Sequence, residues 1–194
     1  VETEGYVHGT PAIADGGAVS VRCDGFLRVF DIATGEELSS VSVDGYVGAR
    51  PAIASGCAYI GTFENEVLAV DLSKNEVLWR FEPERQFGFY SSAAVTDDLV
   101  IIGGRDKNVH ALDRSTGSSR WAHATGARVD ASPVVVGERV FVASENGEIL
   151  ALALTTGDEL WRFESGSAFE ASPAVADGRL VISTVVCMVL CFGE

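Results

Sequence analysis

The side chains that could carry out chemistry are few and scattered. Three histidines, His8, His110 and His123, lie in separate parts of the chain, and no H-E-x-x-H pattern brings two of them to one helix face for zinc. The four cysteines, Cys23, Cys57, Cys187 and Cys191, show no CxxC spacing. On one strand Cys187 and Cys191 would stand ~13 Å apart, too far to bond. There is no G-x-S-x-G to present a nucleophilic serine and no Walker loop to cradle a phosphate. Oxygen ligands for Ca²⁺ are plentiful, but no D-x-[DN]-x-[DN]-G loop gathers them, so any metal site has to be assembled from separate segments.

Charge excludes more than it suggests. Of 194 residues, 28 are acidic and 14 are Lys or Arg, a formal charge of −14. Such a surface repels nucleic-acid backbones and anionic lipid headgroups, and attracts cations or basic segments of partner proteins. The longest nearly apolar stretch, 180–192, falls short of the ~20 residues that a spanning helix needs.

The elements that must position these residues recur. Pro11, Pro51, Pro133 and Pro173 share one repeat position, held by Ala93 in the third copy, at intervals of 40, 42, 40 and 40 residues. A second column holds Asp31, Asp71, Asp113 and Ala153; a third holds Ser39, Trp79, Trp121 and Trp161. Within a copy, four short apolar runs alternate with turn pairs such as Asp15-Gly16, Asn146-Gly147 and Thr156-Gly157, whose residues accept the positive φ of tight hairpins. Runs such as 140–143 and 149–153 are apolar on both faces, which requires each sheet to be covered on both sides. A repeat of about 40 residues with four strands and two buried faces specifies a β-propeller blade. The expected fold is therefore all-β, a propeller of about five four-stranded antiparallel blades. The repeats run over 8–47, 48–89, 90–129, 130–169 and 170–194. Residues 1–7 align with 163–169, so the N-terminal strand is expected to complete the last blade and close the ring, removing an open edge.

The segments AVDLSKNEVLW (69–79), ALDRSTGSSRW (111–121) and ALALTTGDELW (151–161) resemble the tryptophan-docking repeat A-x-D-x-x-x-G-x-x-x-W of the PQQ-like propellers, found in quinoprotein dehydrogenases and in BamB-type proteins of outer-membrane assembly. The resemblance implies a propeller, an extracytoplasmic setting, and seven or eight blades in most members, so that a shorter ring would self-associate or belong to a longer parent. This sequence departs from the pattern at Ser39, Asn75 and Ala153, and stops at Glu194 before the fifth tryptophan position. Neither an adjacent Cys-Cys pair nor a tryptophan outside the docking columns is present to serve a quinone.

The repeated residues read as structure. Trp79, Trp121 and Trp161 fill the wedge between blades, while Asp31, Asp71 and Asp113 brace turns. Residues that fail to repeat are the better candidates for ligand contact. Three positions before the proline column stand His8, Gly48, Tyr90, Asp130 and Glu170; one position before it stand Thr10, Arg50, Ser92, Ser132 and Ser172. The two additional residues of the long copy lie in EPERQFGFY (82–90), which brings Arg85 and Phe87 to the same rim. Second-turn residues Asp24, Glu64, Arg105, Asp106 and Glu145 are expected beside them as an acidic mouth. The candidate site is thus His8, Arg50, Arg85, Phe87, Tyr90, Asp130 and Glu170, in a non-enzymatic scaffold that binds a protein or peptide and needs no cofactor. The alternatives are a quinoprotein-type or cation-dependent enzyme holding PQQ or Ca²⁺ at the mouth, and a sensor domain of a larger protein.

Overall fold

Turn chemistry sets the strand lengths. In the second turn of successive repeats one residue adopts positive φ: Gly25 (78°), Asn65 (76°), Lys107 (69°), Gly147 (88°) and Cys187 (63°). The third turn does the same at Gly35, Asn75, Gly117 and Gly157. Between these reversals only short strands fit, and the computed structural model, which describes residues 10–21 and 24–193, contains nineteen of them among those residues and no helix.

The strands form five sheets. Blade 1 contains β1 (Ala12–Ala14), β2 (Gly17–Val21), β3 (Phe26–Asp31) and β4 (Glu37–Ser42). Blade 2 contains β5 (Ala52–Ala54), β6 (Cys57–Gly61), β7 (Val67–Asp71) and β8 (Glu76–Phe81). Blade 3 contains β9 (Ala94–Val95), β10 (Leu99–Gly103), β11 (Asn108–Asp113) and β12 (Ser119–Ala124), and blade 4 contains β13 (Val134–Val136), β14 (Arg139–Ala143), β15 (Glu148–Ala153) and β16 (Glu159–Glu164). Blade 5 has three strands, β17 (Ala174–Ala176), β18 (Arg179–Ser183) and β19 (Val189–Phe192). Each sheet is an antiparallel meander in sequence order. The segment expected to close the ring, residues 1–7, lies outside the described residues, as do His8 and Cys23.

Both faces of the middle strands are covered, as their composition demands. Leu99–Gly103 is buried at every position, and the core forms layers between consecutive sheets. The column Val47, Phe89, Val129 and Phe169, just before the inner strands, is fully buried.

A β-bulge recurs at one place in each four-stranded blade. The register shifts between Val29 and Phe30, Ala69 and Val70, Ala111 and Leu112, and Ala151 and Leu152, opposite the tryptophan column. An additional residue there bends the outer strand. In blades 2 and 3 the indole then lies against the glycine of the next blade's third turn: a Cβ on Gly117 would come within 2.6 Å of Trp79, and one on Gly157 within 2.5 Å of Trp121. The indole N–H groups donate to the carbonyls of Arg114 (3.0 Å) and Leu154 (2.9 Å). Trp161 departs from the expected role. It is 39% exposed, and its indole N–H has no partner among the described residues.

The aspartate column braces the third turn. Asp31 Oδ1 accepts from the N–H of Ala33 (2.9 Å) and Thr34 (2.8 Å), Asp71 from Ser73 and Lys74, and Asp113 from Ser115 and Thr116. Hydrogen bonds from the Ser73 and Ser115 hydroxyls, with the turn N–H groups, hold the Asp71 and Asp113 carboxyls well below the usual range. In blade 4, Ala153 has no carboxylate to brace the turn, which closes on the backbone alone: Gly157 N–H donates to Ala153 O and Ala153 N–H to Asp158 O.

Candidate functional site

The rim is built by interleaving. Each loop that leads into a blade is pinned between second turns: Phe89 N–H donates to Thr62 O of blade 2, while Arg105 N–H of blade 3 donates to Gly88 O of the same loop. The loop into blade 4 repeats the arrangement, with Val129 N–H on Gly104 O and Glu145 N–H on Arg128 O. Residues from loop and turn must therefore alternate around the mouth.

They alternate as a packed column. A Cβ on Gly48 would lie 2.3 Å from the Phe63 ring, so only glycine fits beneath it. Phe63 stacks on Tyr90 at 4.2 Å between centroids and 16° between planes. The Arg105 guanidinium lies 3.3 Å from the centroid of Tyr90 on the ring and forms a two-pronged pair with Asp130, 2.6 Å at the closest. Aromatic stacking, cation–π attraction and a bidentate ion pair thus follow one another across blades 2, 3 and 4.

This column sorts the sequence-derived candidates. Tyr90 and Asp130 are engaged with neighbours, although Tyr90 keeps 37% of its surface exposed. Arg85 reaches back only to Asp106 O, at 3.5 Å. The Arg50 guanidinium and the Glu170 carboxylate are exposed and have no partner among the described residues. Phe87 is 54% exposed, yet its backbone is fixed: its N–H donates to Asn65 Oδ1 (3.0 Å), and Asn65 Nδ2 donates to Pro83 O (3.3 Å). Beneath that loop, Asp44, Phe63, Glu64, Arg80 and Gln86 line a polar cleft of about 580 Å³.

Two expectations change. The serines before the proline column are not a ligand ring: Ser92 Oγ accepts from Arg50 N–H (3.0 Å), Ser132 Oγ from Ser92 N–H (2.9 Å) and Ser172 Oγ from Ser132 N–H (2.9 Å). They staple successive blades near the axis, where a backbone N–H would otherwise go unpaired. Ser132→Ala should therefore lower the urea-unfolding free energy by about 1 kcal/mol, the usual value of one such bond.

The mouth is also less acidic than its composition suggests. Asp106 is buried and bonded to Asn108 and His110. Asp130 is neutralised by Arg105, Glu145 by Arg128 and Asp24 by Arg28. Among the described residues no group of three His, Cys, Asp or Glu side chains could hold a metal ion.

Sequence reasoning missed the Phe63–Tyr90 and Arg105–Asp130 pairings. A signal existed: the second-turn residues Phe63 and Arg105 are complementary in type to Tyr90 and Asp130, the residues of the loop entering the following blade, aromatic beside aromatic and Arg beside Asp.

Comparisons with known proteins place this geometry. Over its full length the chain superposes on BamB from Moraxella catarrhalis with a TM-score of 0.86 at 18% identity, covering 64% of that chain. It also superposes on the computationally designed Ika8 protein with a TM-score of 0.85 at 20% identity, over 95% of this chain and 57% of that one. In sequence it is 34% identical over 136 residues to the serine/threonine-protein kinase AfsK of Streptomyces griseus, 65% of this chain and 17% of the kinase. It is 32% identical over 79 residues to the putative dehydrogenase XoxF of Paracoccus denitrificans, 35% of this chain and 13% of that protein. The chain spans less than two thirds of the length of each of these proteins. A family model described as outer membrane protein assembly factor BamB matches residues 3–123 and again 105–188. With its docking tryptophans, bulged outer strands and matches to that model over nearly all of its residues, the chain belongs to this PQQ-like repeat family.

Proposed function

We propose that the chain is a non-enzymatic scaffold that binds a protein or peptide partner across the rim of blades 2 and 3, with Phe87 as the apolar anchor and Arg85 and Arg50 as cationic contacts. The observation that carries this reading is Phe87, a large ring held 54% exposed on a backbone fixed by Asn65. An aromatic side chain presented on a rigid loop binds without the cost of ordering that loop, and aromatic and arginine residues dominate the energetics of protein interfaces. The family description, an assembly factor for outer membrane proteins, supports a protein as the partner. Capture from an extract of the source cells by immobilised protein tests the reading. The double variant Arg85→Ala, Phe87→Ala should lose the captured partner while its thermal melting stays unchanged; undiminished capture would remove this loop from the interface.

The kinase match favours a second reading, in which the propeller is the sensing part of a longer chain and the same rim takes up the signal. Finding a kinase domain in the same open reading frame would support it. The quinoprotein alternative draws on the dehydrogenase match, but Trp79 and Trp121 are committed between blades and the sequence lacks an adjacent Cys-Cys pair. Stoichiometric quinone absorbance in the purified protein would restore it.

A further inference from the structure

Blade 3 meets blade 4 through an imidazole with one nitrogen unused. His123, near the end of β12, sets its Nδ1 3.0 Å from Gly157 O in the third turn of blade 4. A carbonyl can only accept, so Nδ1 carries the proton, and in the neutral ring Nε2 is a bare acceptor. That atom is the one buried side-chain nitrogen or oxygen without a hydrogen-bond partner among the described residues. It faces another acceptor: Glu159 Oε2 on β16 stands 4.0 Å away. Leaving a buried acceptor without a donor is costly, and the neutral ring does so here.

The charges around the ring balance only when it is protonated. Arg162 pairs with Glu159 at 2.7 Å and also with Glu148, which sets two carboxylates against one cation. Asp158, in the same turn as Gly157, is bonded to the Thr156 hydroxyl at 2.6 Å. On the histidine's own blade Arg120 is paired with Asp113, and the residue opposite His123 on β11 is Val109. His110 lies on the other face of that sheet, against Phe81 and Phe89. Hydrogen bonds from Arg162 foremost, with the charges of Arg162 and His123, hold the Glu159 carboxyl below its ordinary range, so it is an anion wherever histidine titrates. A proton on Nε2 neutralises the group and turns the orphaned acceptor into a donor aimed at a carboxylate.

The repeat shows that this pair is particular to one seam. The same two columns read Val41 with Val77 and Phe81 with Ser119 at the preceding seams, and Val41 and Val77 belong to one apolar cluster. Between blades 3 and 4 alone they hold a base and an acid.

We infer that His123 and Glu159 form a pH-gated strap across the seam of blades 3 and 4: protonation of Nε2 closes it, and loss of that proton leaves the ring held at Nδ1 alone. Burial opposes the charge, but 18% of the His123 side chain and 34% of the Glu159 side chain remain in contact with water. The proton gains a carboxylate in the folded chain and none in the unfolded one, so folding favours the charged ring. The strap's contribution is complete below about pH 6.5, where a free histidine titrates, and is lost as the pH rises through the folded midpoint.

Urea unfolding of the 194-residue protein and of its His123→Phe variant, from about pH 5 to about pH 8, tests the inference. The variant suits the fold, because the column already holds Phe81 and Phe163. Over that range the unfolding equilibrium constant of the parent should rise about tenfold relative to that of the variant, the effect of one hydrogen bond to a charged group. The other histidines titrate in both proteins and cancel in the ratio. Glu159→Gln should show the same pH slope as His123→Phe, an outcome that a purely packing role for the ring does not produce. In long-range 15N spectra of the folded parent, Nε2 should pass from acceptor to N–H as acid is added while Nδ1 keeps its proton throughout. A ratio that stays constant or falls as the pH rises, or a folded protein in which Nε2 is still bare at the acid end, would overturn the inference.

Discussion

Trp121→Ala is expected to lower the free energy of urea unfolding by about 3–5 kcal/mol, and Trp161→Ala by less than about 1 kcal/mol, although both occupy the same column of the repeat. The difference follows from what surrounds each ring. Trp121 packs with Leu99, Val140 and Leu152, lies against Gly157 and donates its N–H to Leu154 O at 2.9 Å. Removing it opens a void between two sheets whose backbones cannot close on each other, and leaves the Leu154 carbonyl without its donor. Trp161 touches Phe163 and Phe192 at ring-centroid distances of 6.2 and 5.4 Å but has solvent on its other side, so truncation removes contacts without opening a cavity. The denaturant slope should be the same for both variants, since neither changes the surface exposed on unfolding by much. Equal losses would show that Trp161 is docked in solution.

These two tryptophans also mark how far the sequence could be read. Period, strand count and turn positions were legible because every blade solves the same packing problem, and one solution recurs at the proline, aspartate and tryptophan columns. The buried column Val47, Phe89, Val129 and Phe169 was legible for the same reason, and it separated Phe89, in the core, from its neighbours Phe87 and Tyr90 on the rim. The contacts that give the rim its shape do not recur. Phe63 meets Tyr90, and Arg105 meets Asp130, each pair joining a turn in one blade to the loop entering the next, and each pair is unlike the other. Periodicity carries no information about such one-off pairs. The pairing of the serine hydroxyls was hidden by a different cause: Ser92, Ser132 and Ser172 look like free polar residues, and only the convergence of inner strands brings the N–H of the previous blade within 3.0 Å of each.

The second large effect lies at Asp106, which composition places in the wet mouth and the structure places in the core. Its side chain is 2% exposed and accepts hydrogen bonds from Asn108 N–H (3.1 Å), Asn108 Nδ2 (2.8 Å) and His110 Nε2 (2.9 Å). A carboxylate can only accept, so Nε2 carries the proton. His110 is in turn packed between Phe81 and Phe89, which explains why its column otherwise holds leucine. Burial pushes the Asp106 carboxyl up, but the His110 hydrogen bond and charge together with Asn108 pull it down further, and the balance lies below the ordinary value. A group whose folded pKa is depressed stabilises the fold above its unfolded pKa and loses that contribution as pH falls through the folded value. Asp106 therefore contributes stability near neutrality that fades below about pH 4, the ordinary aspartate range. Asp106→Ala should cost about 3–5 kcal/mol at pH 7, because it leaves a buried histidine and asparagine without their acceptor. Asp106→Asn keeps the shape and should cost about 1–3 kcal/mol. The decisive measurement is the pH dependence of the urea-unfolding free energy from pH 7 down to pH 3. Asp31, Asp71 and Asp113 are also held low by their turn hydrogen bonds and contribute a shared acid slope to both proteins, so the difference between the curves isolates Asp106. The wild-type curve should fall towards the Asp106→Asn curve on the acid side. Parallel curves throughout would mean that the carboxyl titrates alike in the folded and unfolded chain, and that the turn owes its conformation to the backbone and Asn108 alone.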